Sequence, residues 1–112
     1  MKLIVTKDQK PSFNFNVVFK KGETVIVEKE DSEMSGWYWC KNERGVSAWV
    51  PSEYLKLNGV NATLTTFYDS LELEVSAGTV LDYVTEVKYW TLCRKADGNE
   101  GWVRNENLRR IQ

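Results

Sequence analysis

The second half of this chain repeats its first, and few features restrict a fold more tightly. Trp37-Tyr38-Trp39-Cys40, Gly45, Trp49-Val50 and Leu55 return without a gap as Trp90-Thr91-Leu92-Cys93, Gly98, Trp102-Val103 and Leu108. One offset of 53 relates every pair (90 − 37, 98 − 45, 108 − 55), close to half of the 112-residue length. A period of that size means two copies of one small unit. Positions that agree report the fold, and positions that differ report which copy could carry a site.

Each copy reads as short strands separated by glycine and polar turns, with no helical period, so the expected class is all-β. In the first copy the predicted strands are Lys2 to Thr6, Thr24 to Lys29, Trp37 to Lys41, Val46 to Val50 and Leu55 to Leu57, with a long loop from Lys7 to Asn16. Matching Gly22 to Gly78, and Val25 and Val27 to Leu81 and Tyr83, sets the core face of the second copy. The predicted domains are 1–57 and 61–112. Leu57-Asn58-Gly59-Val60-Asn61 is the joint between them, too short to let units of this size stay apart.

Charge is nearly balanced, with 15 Lys and Arg against 16 Asp and Glu. The halves come to +1 (9 − 8, residues 1–57) and −2 (6 − 8, residues 58–112). Neither has the basic surface that phosphate-backbone binding requires, so no nucleic-acid partner is expected. No apolar run approaches the ~20 residues needed to cross a bilayer, and Met1 to Asp8 turns polar too soon for a signal peptide. The expectation is a cytoplasmic protein with no membrane partner. Cys40 and Cys93 hold the same place in separate units, which predicts two buried, reduced thiols rather than a disulfide. With no histidine in the chain, a zinc site lacks its usual ligands, and no convergent acid–base pair is visible. Neither an enzyme nor a cofactor is expected.

The run Phe19-Lys20-Lys21-Gly22-Glu23, then Trp37 with Cys40, then Gly45 to Leu55, resembles an SH3 domain in order and spacing. The whole chain is similar to small bacterial and archaeal proteins built of two tandem variant SH3 domains. That resemblance implies two five-stranded SH3-like barrels packed against each other, and a groove that binds proline-rich peptides as polyproline II helices between aromatic rings. Trp37, Pro51 and Tyr54 match the family's groove Trp, Pro and Tyr. Two features depart from it. The first-strand motif Ala-Leu-Tyr-Asp-Tyr falls on Val5 to Gln9, which places Lys7 and Gln9 where the outer wall of the groove needs tyrosines. The long loop, acidic in the family, is here the uncharged Ser12 to Asn16, in which Phe13 and Phe15 either replace the wall or plug the end of a barrel.

In the second copy the Pro and Tyr positions are Arg104 and Asn107, and the motif is reduced to Leu64-Thr65-Thr66-Phe67-Tyr68. This copy is expected to have lost the proline groove. The loop Glu28 to Glu33 is either a solvated turn or, through Glu30, Asp31 and Glu33, an acidic rim for basic ligands. The expected function is therefore a non-catalytic module that binds an extended or proline-containing peptide, weakly, through the first copy, as a monomer or weak homodimer. The alternative is a structural scaffold or self-associating protein whose aromatic groove is buried at an interface.

Overall fold

The computed structural model describes residues 1–111, which are all-β. The strands are β1 (Lys2–Val5), β2 (Val18–Phe19), β3 (Thr24–Glu30), β4 (Trp37–Asn42), β5 (Ser47–Pro51), β6 (Leu55–Asn58), β7 (Asn61–Leu64), β8 (Tyr68–Asp69), β9 (Val80–Glu86), β10 (Trp90–Arg94), β11 (Glu100–Arg104) and β12 (Leu108–Ile111). Single 3-10 turns, Ser52–Tyr54 and Asn105–Asn107, precede β6 and β12. No helix among the described residues is long and apolar enough to cross a membrane.

The strands pair in two five-stranded antiparallel sheets, ordered β5-β4-β3-β7-β6 and β11-β10-β9-β1-β12, with β2 and β8 forming a separate ribbon. Each sheet thus borrows a strand from the other half of the sequence. β7 pairs with β3 (Val25↔Ala62) and with β6 (Leu55↔Leu64). β1 pairs with β9 (Leu3↔Leu81) and with β12 (Val5↔Leu108). The compact units are an inner one, Val17–Ser70, and an outer one, Met1–Asn16 together with the stretch from Leu71 onward. They differ from the consecutive domains 1–57 and 61–112: the inner unit is inserted whole into a loop of the outer one.

The cause is local. Asn58 pairs with Asn61, so Gly59 and Val60 make a two-residue hairpin, with Gly59 at a φ of 64°. A two-residue hairpin obliges its strands to lie side by side. Asn58-Gly59 is therefore a turn inside one sheet and not a joint between domains. The ends of the inner unit are closed on each other, the Val17 N–H donating to Ser70 Oγ at 2.7 Å and the Ser70 N–H to the Val17 carbonyl at 2.9 Å.

Within each unit the repeat behaves as the alternation predicts. Cys40 opposes Ala48 and Cys93 opposes Gly101, and both thiols are free, fully buried and pushed up to about 12 by loss of water, with Glu28 adding to the effect at Cys40. Leu3, Val5, Leu73, Val75, Leu81, Cys93 and Val103 form the outer core, with Tyr83 and Leu108 against it. Phe19, Val25, Val50, Ala62 and Leu64 are buried in the inner unit. Both long strands bulge at the same place: Val27 and Lys29 pair with Cys40 and Trp39, and Tyr83 and Thr85 with Cys93 and Leu92. The extra residues, Glu28 and Val84, bend β3 and β9 and raise their twist.

Candidate functional site

Trp37, Trp39, Trp49 and Pro51 share one face of the β4–β5 ladder, because Trp37 pairs with Pro51 and Trp39 with Trp49. Trp39 and Trp49 meet edge to face at 5.1 Å between ring centroids, and the Lys29 ammonium lies 5.8 Å over Trp49. The 3-10 turn places Tyr54 after Pro51, and Tyr54 meets Tyr68 edge to face at 5.5 Å. Burial, and secondarily the charge of Glu53, raises the Tyr54 hydroxyl above its ordinary pKa.

Tyr68 is a residue that the sequence reading assigned to the other copy. It comes from β8, next to the hairpin strand β7, and its hydroxyl donates to the Trp49 carbonyl at 2.6 Å. The aromatic neighbour of Tyr54 is therefore Tyr68, and Lys7 and Gln9 lie in the other unit. Trp37 and Tyr68 are only 5% and 2% exposed, Pro51 is fully buried and Tyr54 is half-buried.

The remaining candidates are dispersed. Phe13 and Phe15 belong to the outer unit, where the Ser12 N–H and hydroxyl both donate to Glu72 Oε1 at 3.0 Å and hold the loop. Their rings lie 5.8 Å apart and are 43% and 62% exposed, so they plug nothing. Asp31 Oδ1 accepts from the Glu33 and Met34 N–H groups, and Glu30 Oε2 from the Gly36 N–H. These carboxylates accept backbone N–H groups of the turn before β4. Glu33 is exposed.

The outer unit repeats the arrangement with amides instead of rings. Buried Gln9 donates to the carbonyls of Leu73 (2.8 Å) and Trp102 (3.1 Å), and its Oε1 accepts from the Arg104 N–H (2.9 Å) and from Asn107 Nδ2 (3.3 Å). Trp102 matches Trp49, so Gln9 bonds the carbonyl equivalent to the one Tyr68 bonds. Asn107, in turn, stands where Tyr54 does. Trp90 pairs with Arg104, whose guanidinium lies 5.2 Å over the indole. An aromatic pair in one unit is an amide pair in the other.

No group of three or more His, Cys, Asp or Glu among the described residues could hold a metal ion. Comparison of the chain with protein-family models, with curated proteins and with solved structures finds no match.

Proposed function

We propose that this chain is a non-catalytic interaction scaffold of two SH3-like barrels, one nested in a loop of the other, in which the aromatic residues of the first groove serve packing. The observation that carries this reading is the burial of Trp37 at 5% exposure, alongside Pro51 and Tyr68. A groove tryptophan binds a polyproline helix through an open ring face, and burial removes that face. The strand order common to both sheets and the matched bulges support the barrel assignment.

A second reading, weak recognition of extended peptides at Trp37, Pro51 and Tyr54, draws on Tyr54, which is only half-buried where it meets Tyr68. Chemical-shift mapping with proline-rich peptides separates the two. The scaffold reading expects no shift of the Trp37 indole at millimolar peptide. Saturable shifts centred on Trp37 and Tyr54, abolished by Tyr54→Ala, would establish peptide recognition in its place.

A further inference from the structure

Tyr89 is the one non-glycine residue with positive φ among the described residues, at 72°. The matching residue in the first copy is Gly36, at 87°. The turn is the same in both: the Ser52 N–H donates to the Gly36 carbonyl and the Asn105 N–H to the Tyr89 carbonyl, each at 2.8 Å. Glycine is the unstrained occupant of this conformation, whereas a residue with a Cβ is crowded there. The ring recovers little by burial, since Tyr89 is 40% exposed. A strained, exposed aromatic is an expense to the fold, and such outliers cluster where a chain binds something.

Charge changes around the same point. Between the copies Ser35 becomes Lys88, Pro51 becomes Arg104 and Thr66 becomes Lys7, three gained cations, while Phe67 becomes Asp8, whose Oδ1 accepts from the Ala77 N–H at 2.8 Å. The contacts bring them together. The Asn105 N–H ties the residue after Arg104 to Tyr89, while the Thr6 N–H donates to the Asn107 carbonyl at 2.8 Å and Gln9 holds the Arg104 N–H, so the backbone on both sides of Lys7 is anchored to the stretch 104–107. Two carboxylates share the rim: Glu106 lies 3.5 Å from Arg104, and Glu86 accepts from Asn105 Nδ2 at 3.3 Å. Both have counterparts in the first copy, Glu53 and Glu30, so they do not offset the change. The loop acids Asp31 and Glu33 have no acidic counterpart in the shorter second loop.

We propose that Lys7, Lys88, Tyr89 and Arg104, set around Trp90, form a binding surface for an acidic, extended segment of a protein partner. Tyr89 supplies the apolar contact, and the cations meet carboxylates. Arg104, pre-oriented on the indole, is suited to a bidentate carboxylate contact. This rests on the reading of the chain as an interaction scaffold, but uses a different unit from the aromatic groove.

The test is chemical-shift titration of the full chain with a synthetic peptide of alternating Asp, Glu and Leu, beside its Lys-substituted counterpart and single-stranded oligouridine. The acidic peptide is expected to shift Tyr89, the Trp90 indole and Arg104, leave Trp37 unmoved, and weaken as salt is raised. Tyr89→Gly relieves the strain, so the melting temperature should rise while affinity falls at least about tenfold. The pair Lys88→Ser and Arg104→Gln should lower affinity with the fold intact. No shift with the acidic peptide, shifts elsewhere, or affinity unchanged in Tyr89→Gly would overturn the proposal. Tighter binding of oligouridine would overturn the choice of partner. Shifts at Trp37 with proline peptides would sink the packing role of the first groove and leave this result standing.

Discussion

Replacing Gln9 by Met tests the nested topology as well as the energetics. Methionine nearly preserves the side-chain volume but makes none of the four hydrogen bonds that the Gln9 amide forms with Leu73, Trp102, Arg104 and Asn107. Each such bond contributes about 1 kcal/mol net, and a buried group left without a partner loses about 1–3 kcal/mol. The Leu73 carbonyl keeps no other side-chain partner, and the Arg104 N–H loses its acceptor. The expected cost is therefore about 2–4 kcal/mol, a large share of the stability of a small domain. In urea, at a slope of about 1–2 kcal/mol per molar, the midpoint should fall by more than about 1 M. Hydrogen exchange locates the damage: protection should drop in β1, β9, β10, β11 and β12 and hold in β3 to β7. A loss below about 1 kcal/mol would refute the hydrogen-bond argument. Loss of protection in β3 to β5 would refute the topology, since it would put residue 9 with residues 1–57.

The segment 17–70 expressed alone should unfold cooperatively and give a dispersed amide spectrum, because its sheet and its end-to-end hydrogen bonds are complete; a random-coil spectrum would show that the inner unit depends on the outer. Gly101→Ala should destabilise the outer unit by about 1–3 kcal/mol in denaturant titration, since the new Cβ would lie 2.7 Å from Leu73 Cδ2 and 3.0 Å from the Leu71 carbonyl oxygen; a neutral result would mean that Leu71–Leu73 gives way. Alkaline stability should carry the mark of the two thiols. Burial holds Cys40 and Cys93 protonated up to about 12, whereas the unfolded chain releases those protons near 8.5, so the native state binds more protons and stability falls as pH rises. The loss begins above about pH 8.5 at roughly 1.4 kcal/mol per unit per thiol, and melting curves of Cys40→Ala/Cys93→Ala should show a flatter slope.

The sequence carried the strands, the facing of both cysteines and the tryptophan ladder, because period-2 alternation and a gapless offset are local signals. It did not reveal which sheet β1 and β7 join. Leu3 and Val5 alternate as Ala62 and Leu64 do, and alternation identifies a strand's buried face without naming its neighbours. Only the Asn58-Gly59 stretch bears on that: between two short apolar runs it signals a tight hairpin more strongly than a joint, and the loop that forms is Gly59-Val60. The aromatic wall was missed for the same reason, Tyr68 being credited to the other copy. A correlated difference could have recovered it: where the first Trp-containing half has Tyr54 the second has Asn107, and of the two candidate wall residues one is Tyr68 and the other Gln9. Ring belongs with ring and amide with amide. Nothing in the identity of Tyr89 announces its positive φ, which is the habit of glycine and, less often, of Asn and Asp; its only signal is the alignment with Gly36.

Nesting also sets a timetable for synthesis. The inner unit has all its strands once Ser70 has left the ribosome, but β1, made before them, must wait for β9 from Val80 and β12 from Leu108 before either of its edges is paired. Through that interval a strand bearing Leu3 and Val5 has both edges open, the condition under which nascent chains pair with their neighbours. Lys2 precedes those two residues, Lys7 and Lys10 follow them, and like charge between nascent chains opposes such pairing. Once Val80 to Glu86 is made, Asp82 accepts a hydrogen bond from Lys2 across the β1–β9 ladder, so the first of these gatekeepers becomes a clasp.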